Sequence, residues 1–293
     1  MADVDQTQEL ITHDGVAAVT LTGSTRAGKA VAAQAGSQLK KTVLELGGSD
    51  PYLILGDADI EQAAETCVTS RLINSGQSCI AAKRYIVVAD IYDAFLDAVV
   101  DRMSLKHMGD PFDSSTDLGP MAREDLRDQL HKQVQDSIAA GASCELGGEI
   151  PARDGYFYPP TVLTNVSKGM PAYEEELFGP VASVIKVANE QEAIAVANDT
   201  DYGLGAAVFS ADADRAEEIA ANDLEAGCCF VNAFVKSDPR LPFGGIKQSG
   251  YGRELSHVGI KEFVNIRAAI APDFLVRVTR CRHWECYYQG ICI

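Results

Sequence analysis

Short strand-like runs alternate with amphipathic helical stretches along most of this chain, and that alternation constrains the fold more than any other feature. Each apolar or β-branched run is followed by a stretch in which apolar residues recur at helical spacing. The predicted pairs are 17–21 with a helix to about Gln38, 52–55 with a helix from about Ile60, 85–88 with 91–103, 182–187 with 190–198, and 205–209 with 212–222. Such alternation predicts α/β layers around a largely parallel sheet.

The size and charge of the chain exclude several classes of function. With 293 residues, of which 46% are hydrophobic and 23% charged, the chain is long enough to form two lobes with sizeable cores. Its formal net charge of −17 disfavours nucleic acid and anionic membrane surfaces as partners. A small anionic substrate is still compatible, because a local pocket charge can oppose the field of the whole protein.

The termini and the cysteines indicate a compartment. No apolar run approaches the length of a membrane span, and the acidic start at 1–6 is unlike a signal or transit peptide. The cysteines up to Ile270 are irregularly spaced and include no CxxC pair. We therefore predict free thiols in a reducing cytoplasm, with no disulfide framework and no metal site.

A glycine-bounded turn from Gly23 to Gly28 joins the first predicted strand to the first predicted helix. Such a turn exposes the amides of a helix N-terminus, which suit an anionic group such as a dinucleotide phosphate. The same pattern also occurs as a plain strand-to-helix connection, so the turn alone leaves both interpretations open.

Cys79 and Glu45 are candidates for thiol-based acyl chemistry. Cys79 ends the run 74–79 (Asn-Ser-Gly-Gln-Ser-Cys), and the run 44–48 (Leu-Glu-Leu-Gly-Gly) contains Glu45. A thiolate can attack a carbonyl, and a carboxylate can later activate the water that frees the acyl group. Taken singly, a cysteine is more often a packed apolar residue, and a glutamate at this place is more often an exposed carboxylate at a strand end.

The neighbours of both residues favour the catalytic interpretation. The polar residues before Cys79 argue against simple core packing, and a predicted helix beginning within 80–84 would lower the pKa of its thiol. We therefore expect Cys79 to be the most reactive thiol of the main body. Gly47 and Gly48 would let the backbone after Glu45 pass close to a ligand.

In this order, these segments resemble the active-site signatures of the NAD(P)-dependent aldehyde dehydrogenases. The run 174–180 resembles the family's stretch whose glutamate holds the nicotinamide ribose and whose phenylalanine packs beside the ring, which would be Glu176 and Phe178. Without the other motifs, this run would be an acidic helix end stopped by Gly-Pro. The runs 198–204 and 242–254 also match family signatures, and the resemblance extends to about Arg267.

The resemblance implies an aldehyde-dehydrogenase-like catalytic domain with a partial Rossmann-type cofactor domain. The implied segments are 1–46 as a cofactor-domain remnant, 47–254 as the catalytic domain, 255–270 as a C-terminal helix and oligomerisation strand, and 271–293 as an atypical tail. It implies NAD or NADP as cofactor and a small aldehyde as substrate. The implied cofactor-binding residues are Gly23, Ser24, Gly28, Leu46, Glu176 and Phe178.

Within the family, the sequence looks most like the succinate-semialdehyde dehydrogenases. In that branch a serine six positions before the signature phenylalanine helps to hold the substrate carboxylate, and Ser237 occupies that place. Some members also use an arginine six residues before the nucleophile, where this chain has Ile73, with Arg71 two residues away.

Family members resembling this chain carry a further portion ahead of Met1, including an asparagine of the oxyanion hole and part of the cofactor domain. We therefore interpret the chain as the C-terminal portion of an aldehyde dehydrogenase, homo-oligomeric when intact. One alternative is a truncated or degenerate product without activity. Another is an acyltransferase or esterase without cofactor, which the Glu176 and Phe178 segment disfavours.

The end of the chain differs in character from the rest. The segment 259–267 resembles the strand with which family chains end and which pairs across a subunit interface. The tail at 274–293 then adds three cysteines and the only tryptophan, in a spacing that fits no common zinc site. We predict that this tail is poorly ordered and dispensable for stability.

Overall fold

The computed structural model describes residues 3–269 and 277–278. The helices are α1 (Val4–Thr12), α2 (Thr25–Ser37), α3 (Ile60–Leu72), α4 (Tyr92–Ser104), α5 (Glu124–Ala139), α6 (Pro171–Glu174), α7 (Glu190–Asn198), α8 (Ala213–Asn222) and α9 (Ser256–Glu262). The strands are β1 (Ala18–Thr22), β2 (Lys41–Glu45), β3 (Pro51–Ile54), β4 (Arg84–Val88), β5 (Ser143–Leu146), β6 (Thr161–Thr164), β7 (Val181–Val187), β8 (Gly205–Phe209), β9 (Cys228–Val231), β10 (Gly250–Tyr251), β11 (Ala268–Ala269) and β12 (Arg277–Val278).

A seven-stranded sheet in the order β5-β6-β7-β4-β3-β8-β9 forms the centre of the larger part. All neighbouring strands in it run parallel except β5 and β6, which are antiparallel. Strand β4 is buried along its whole length, and apolar clusters cover both faces of the sheet. The predicted α/β architecture with a largely parallel sheet is confirmed.

A second sheet of three strands lies where the cofactor domain was predicted. Strands β1 and β2 run parallel, and β10 pairs antiparallel with β2, so that Gly250 lies opposite Glu45. Strand β10 belongs to the segment 47–254, which was predicted as the catalytic domain. That segment therefore contributes the third strand to the sheet of the predicted cofactor-domain remnant at 1–46. This pairing places the end of β2, and with it Glu45, against the glycine-rich run 242–254.

The prediction of a helix beginning after Cys79 is wrong. Residues 79–80 form a turn, and the chain enters β4 at Arg84. The backbone amides of Lys83 and Arg84 both donate to the carbonyl of Asp50 at 3.2 Å, and β4 then pairs with β3 on one side and β7 on the other. Ladder bonds on both edges of a buried strand outweigh the local helix preference of two alanines.

The C-terminal segment begins as a helix. The predicted strand at 259–267 is wrong, because its first residues lie in α9 and none of the others belongs to a strand. The described strand β11 follows at Ala268–Ala269 and pairs with Arg277–Val278. Pairing of this region across a subunit interface stays a prediction. The predicted disorder of the tail at 274–293 falls, apart from β12, outside the described residues.

Candidate active site

A cavity of about 810 Å³ lies between the turn that begins α2, the segment around Cys79, helix α5 and the run 175–178. Its walls combine most of the residues that the sequence singled out, although these are far apart along the chain. Those that line it are Gly23, Ser24, Leu46, Cys79, Glu176 and Phe178. The tertiary structure therefore brings the predicted nucleophile and most of the predicted cofactor residues to one place.

The turn before α2 presents a capped helix N-terminus to this cavity. Ser24 is the N-cap, and its hydroxyl accepts a hydrogen bond from the Ala27 amide at 3.2 Å. The amide of Gly23 donates to the carbonyl of Glu45 at 2.9 Å, which fixes the turn to the end of β2. The free amides and the dipole of a 13-residue helix favour an anion at this wall of the cavity.

Gly28 supports the turn from behind. It is buried, it does not line the cavity, and a Cβ there would lie 2.5 Å from the methyl carbons of Leu46. A side chain at this position would push α2 away from Leu46. The structure therefore gives Gly28 a packing role, while contact with a cofactor stays a prediction.

Cys79, the predicted nucleophile, follows a tight turn that the polar residues hold in place. Asn74, Ser75 and Gly76 all have positive φ angles, of 54°, 53° and 74°. A Cβ at Gly76 would lie 2.3 Å from the carbonyl of Gly179, so only glycine fits there. The Gln77 side-chain oxygen accepts from the Ala122 amide at 2.9 Å, which ties the turn to the entrance of α5. The polar run before Cys79 is thus the scaffold of the turn.

The thiol of Cys79 is half-buried on the cavity wall, and burial raises its pKa. The positive charge of Lys83 opposes that shift, whereas Asp50, Glu176 and Glu45 add to it. The expectation of a lowered pKa is therefore wrong, because burial disfavours the thiolate, no helix begins after Cys79, and the nearby carboxylates add to the rise that Lys83 opposes. Among the five described cysteines, Cys144 alone is exposed, and burial raises the pKa of its thiol too.

The Glu45 carboxyl group is 2% exposed, and neither of its oxygens has a hydrogen-bond partner among the described residues. Burial raises its pKa to about 7, with a further contribution from Glu254 that Arg253 opposes. A Cβ on Gly244 would lie 2.7 Å from one of its oxygens, so the glycine-rich run 242–254 closes over it. A carboxyl group that titrates near neutrality is suited to act as a general base. Glu45 does not itself line the cavity.

Glu176 is anchored beside the nucleophile by the backbone that follows Glu45. Its carboxylate accepts from the Gly48 amide at 3.0 Å and lies 3.9 Å from the Lys83 ammonium. A Cβ at Gly47 would lie 2.5 Å from the other carboxylate oxygen, and one at Gly48 would lie 2.5 Å from the Cys79 carbonyl. The two glycines therefore allow a close approach of Glu176 and of the nucleophile segment, while Phe178 lines the cavity two residues on.

The structure does not place Ser237 or Arg71 at the cavity wall. Ser237 is exposed and lies outside the lining. Arg71 is fully buried and donates to the carbonyl of Gly76 at 2.6 Å, so it supports the turn before Cys79. Ile73, at the place of the arginine found in some relatives, is 47% exposed.

Two residues of the site are not part of any sequence motif described above. Lys83 and Asp50 are both buried beneath the nucleophile segment, and Asp50 accepts from the Gly205 amide at 3.1 Å. The sequence signal was the pair of cations, Lys83 and Arg84, immediately before the apolar run 85–88; both side chains are buried in the structure. Among the described residues no group of histidine, cysteine or acidic side chains is arranged to hold a metal ion, and no helix there is long and apolar enough to cross a bilayer.

The sequence profile of the aldehyde dehydrogenase family matches residues 2–269, which include the whole cavity. The chain belongs to the aldehyde dehydrogenase family. This member is 54% identical over 252 residues to the succinate-semialdehyde dehydrogenase [NADP(+)] 1 of Mycobacterium bovis, covering 86% of this chain and 55% of that protein. It is 50% identical over 266 residues to the succinate semialdehyde dehydrogenase [NAD(P)+] Sad of Escherichia coli K12, covering 91% of this chain and 57% of that protein.

Solved structures of other aldehyde dehydrogenases share the fold. A succinic semialdehyde dehydrogenase from Streptococcus pyogenes, solved with NADP+, superposes with a TM-score of 0.88 at 43% identity and covers 90% of this chain and 58% of its own. A betaine aldehyde dehydrogenase from Staphylococcus aureus, solved with NAD+, superposes with a TM-score of 0.85 at 37% identity. The match covers 88% of this chain and 52% of that one. The chain thus spans little more than half the length of these relatives.

Proposed function

We propose that this chain carries the nucleophile and part of the cofactor site of an NAD(P)-dependent aldehyde dehydrogenase that oxidises an aldehyde to the carboxylic acid. One observation carries the proposal: Cys79 shares a cavity of about 810 Å³ with the capped N-terminus of α2, Glu176 and Phe178. An esterase or acyltransferase that works without a cofactor needs neither an anion-binding turn nor a carboxylate for ribose hydroxyls beside its nucleophile.

The residues present fit part of a nicotinamide dinucleotide. The α2 turn offers unpaired amides for a phosphate, and a Cβ at Gly23 would meet only the Leu21 side chain, at 3.7 Å. Glu176 offers a carboxylate for ribose hydroxyls, with Phe178 as an apolar neighbour. When bound, the nicotinamide ring would accept the hydride that the aldehyde carbon loses. Both NADP+ and NAD+ occur in related structures, so the proposal includes either cofactor.

The proposed chemistry of this chain's own residues begins at Cys79. Its thiolate sulfur bonds to the aldehyde carbon while the carbonyl electron pair moves to the oxygen, and the resulting thiohemiacetal anion becomes a thioester once the hydride has left. The Glu45 carboxylate then takes a proton from water as that water attacks the thioester carbon, and the carboxylic acid and the Cys79 thiolate separate. A pKa of about 7 for Glu45 leaves much of it ionised at neutral pH, as a general base requires.

We infer succinate semialdehyde as the substrate, which the named relatives and the sequence position of Ser237 six residues before Phe243 support, while the side chain itself lies outside the cavity lining. In a protein extended to the full length of those relatives, we expect Ser237→Ala to raise the KM for succinate semialdehyde. The hydroxyl would contact a carboxylate that an uncharged aldehyde of the same length lacks, so the KM for the latter serves as the control. Equal effects on both aldehydes would contradict this assignment.

The alternative is that the chain on its own has no dehydrogenase activity, which its coverage of 55% of a relative favours. Loss of a single oxyanion donor costs about 100- to 1,000-fold in rate. We expect no appreciable reduction of NAD+ or NADP+ by the purified chain with succinate semialdehyde, measured by absorbance of the reduced cofactor. Turnover within tenfold of the full-length relative assayed in parallel would refute the alternative. A homo-oligomer and a cytoplasmic setting complete the proposal, the latter supported by the free cysteines.

A further inference from the structure

Lys83 is the buried cation directly beneath the nucleophile. The side chain is 1% exposed, and its ammonium donates to the backbone carbonyls of Ser78, Cys79 and Ala81 at 3.2, 2.8 and 3.2 Å. Three carbonyl acceptors satisfy the three donors of an ammonium. The Lys83 side chain therefore binds three backbone carbonyls of the segment that contains Cys79.

The base of this side chain is fixed to the central sheet. The Lys83 amide donates to the Asp50 carbonyl at 3.2 Å, and the Lys83 carbonyl accepts from the Ser183 amide at 3.0 Å. The next residue begins β4, whose neighbours lie on both sides. A short segment that carries no helix or strand of its own is in this way tied to the most rigid part of the molecule.

The charges that face Lys83 come from every element around it. Asp50 directly precedes β3, Glu176 precedes β7, and Arg71 belongs to α3. Among the described residues, Glu176 alone lies within ion-pair distance of Lys83, at 3.9 Å. The thiol of Cys79 also faces Glu45 at the end of β2. Carboxylates thus surround the thiol, and Lys83 is the cation that opposes them.

We propose that Lys83 is a positioning residue for Cys79: its ammonium holds the carbonyls of the nucleophile segment, and its charge stabilises the thiolate in competition with Glu176. This inference rests on the proposed function, because it takes Cys79 as the nucleophile. The inference goes beyond the proposed function because it names Lys83 as the group whose charge stabilises the Cys79 thiolate against the nearby carboxylates. A purely structural lysine would hold the backbone without altering the titration of the thiol, and that difference can be measured.

The experiment measures alkylation of Cys79 in the full 293-residue chain. Limiting iodoacetamide is applied from pH 6 to 10, and mass mapping gives the rate at each cysteine. Lys83→Met removes the charge with little change in length. Cys67, which is fully buried, reports unfolding, and the exposed Cys144 controls for the reagent. We expect the midpoint of Cys79 alkylation to rise by about one pH unit or more, which slows its reaction at pH 7 about tenfold, with Cys144 unchanged.

Glu176→Gln is the complementary variant. It removes the carboxylate that shares the Lys83 charge, so the Cys79 midpoint should fall, and it should fall less in a chain that also carries Lys83→Met. Equal shifts with and without Lys83 would mean that Glu176 acts on the thiol directly, and would overturn the competition. Should Lys83→Met expose Cys67, Lys83→Gln takes its place, because its amide can still donate to a carbonyl without carrying a charge: a raised Cys79 midpoint supports the proposal, and an unchanged one overturns it.

The two proposals fail in distinguishable ways. If Cys79 in the native chain reacts no faster than the buried Cys67, the assignment of Cys79 as nucleophile fails and this inference fails with it. If Cys79 reacts readily but Lys83→Met leaves its pH profile unchanged while Cys67 stays protected, the nucleophile stands and the role of Lys83 is refuted.

Discussion

Replacing Glu45 by glutamine should stabilise the folded chain at pH 8 and leave its stability almost unchanged at pH 4.5. The carboxyl group is buried without a hydrogen-bond partner among the described residues, and its pKa rises from 4.5 to about 7. Below pH 4.5 the group is neutral in both the folded and the unfolded chain, so it imposes no charge penalty. Between pH 4.5 and 7 the unfolded chain releases the proton first, and the free energy of unfolding falls.

The magnitude follows from the size of that rise. From 4.5 to about 7, at about 1.36 kcal/mol for each pH unit, the buried charge costs the native chain about 3 kcal/mol above pH 7. Glutamine removes the charge and replaces a buried neutral carboxyl group by an amide of similar shape and similar burial cost, so we expect a gain of about 3 kcal/mol at pH 8. The same substitution removes the proposed general base.

Urea unfolding at pH 4.5 and pH 8 measures the effect as a difference between variant and native chain at each pH. Other titrating groups are common to both chains and cancel from that difference. Glu217→Gln is the matched control, because Glu217 is an exposed glutamate of α8 and should give no pH-dependent difference. The reasoning would be refuted if the Glu45→Gln chain were no more stable than the native chain at pH 8. It would also be refuted if the variant were stabilised equally at pH 4.5 and pH 8.

Two further substitutions test the supports of the site by the same urea measurement. Gly48→Ala would place a Cβ 2.5 Å from the Cys79 carbonyl, so it should slow Cys79 alkylation and lower the free energy of unfolding. Gly36→Ala is the control: its Cβ would have no atom within 4 Å, so the free energy of unfolding should be unchanged or rise by up to about 1 kcal/mol. Equal behaviour of the two variants would contradict the close approach at Gly48. Arg84→Met should cost about 3 kcal/mol or more, because the buried guanidinium donates to the carbonyls of Ser49, Val196 and Ala197. Arg240→Met, which removes an exposed arginine, should cost under about 1 kcal/mol, and a similar loss in both would refute the assigned role of Arg84.

Sequence patterns by themselves predicted the α/β architecture and the candidate reactive groups. Period-two and period-3.6 patterns reflect which side chains face a core, so local patterns alone predicted β1, β3, β4, β7 and β8 with the helix that follows each, whereas β5, β6 and α5 were not predicted. The motifs around Glu45, Cys79 and Glu176 named the family because their residue types are dictated by the chemistry.

Tertiary structure alone decided the conformation of the residues after Cys79. The alanines at 81 and 82 favour a helix locally, but the strands on both sides of β4 draw Lys83 and Arg84 into the sheet. That pairing depends on β3 and β7, which are remote in sequence, and no local window contains it.

The charge state of the site was likewise decided by the fold. The pKa of Glu45 is raised to about 7 because the glycine-rich run 242–254 closes over the carboxyl group and buries it. The pKa of the Cys79 thiol is raised by burial and by the carboxylates around it, and the charge of Lys83 opposes that rise. A pKa depends on burial and on distances between groups that folding brings together from remote parts of the chain. Sequence therefore identified the candidate reacting groups, and only the packed structure determined the burial and the neighbouring charges that set the pKa of each.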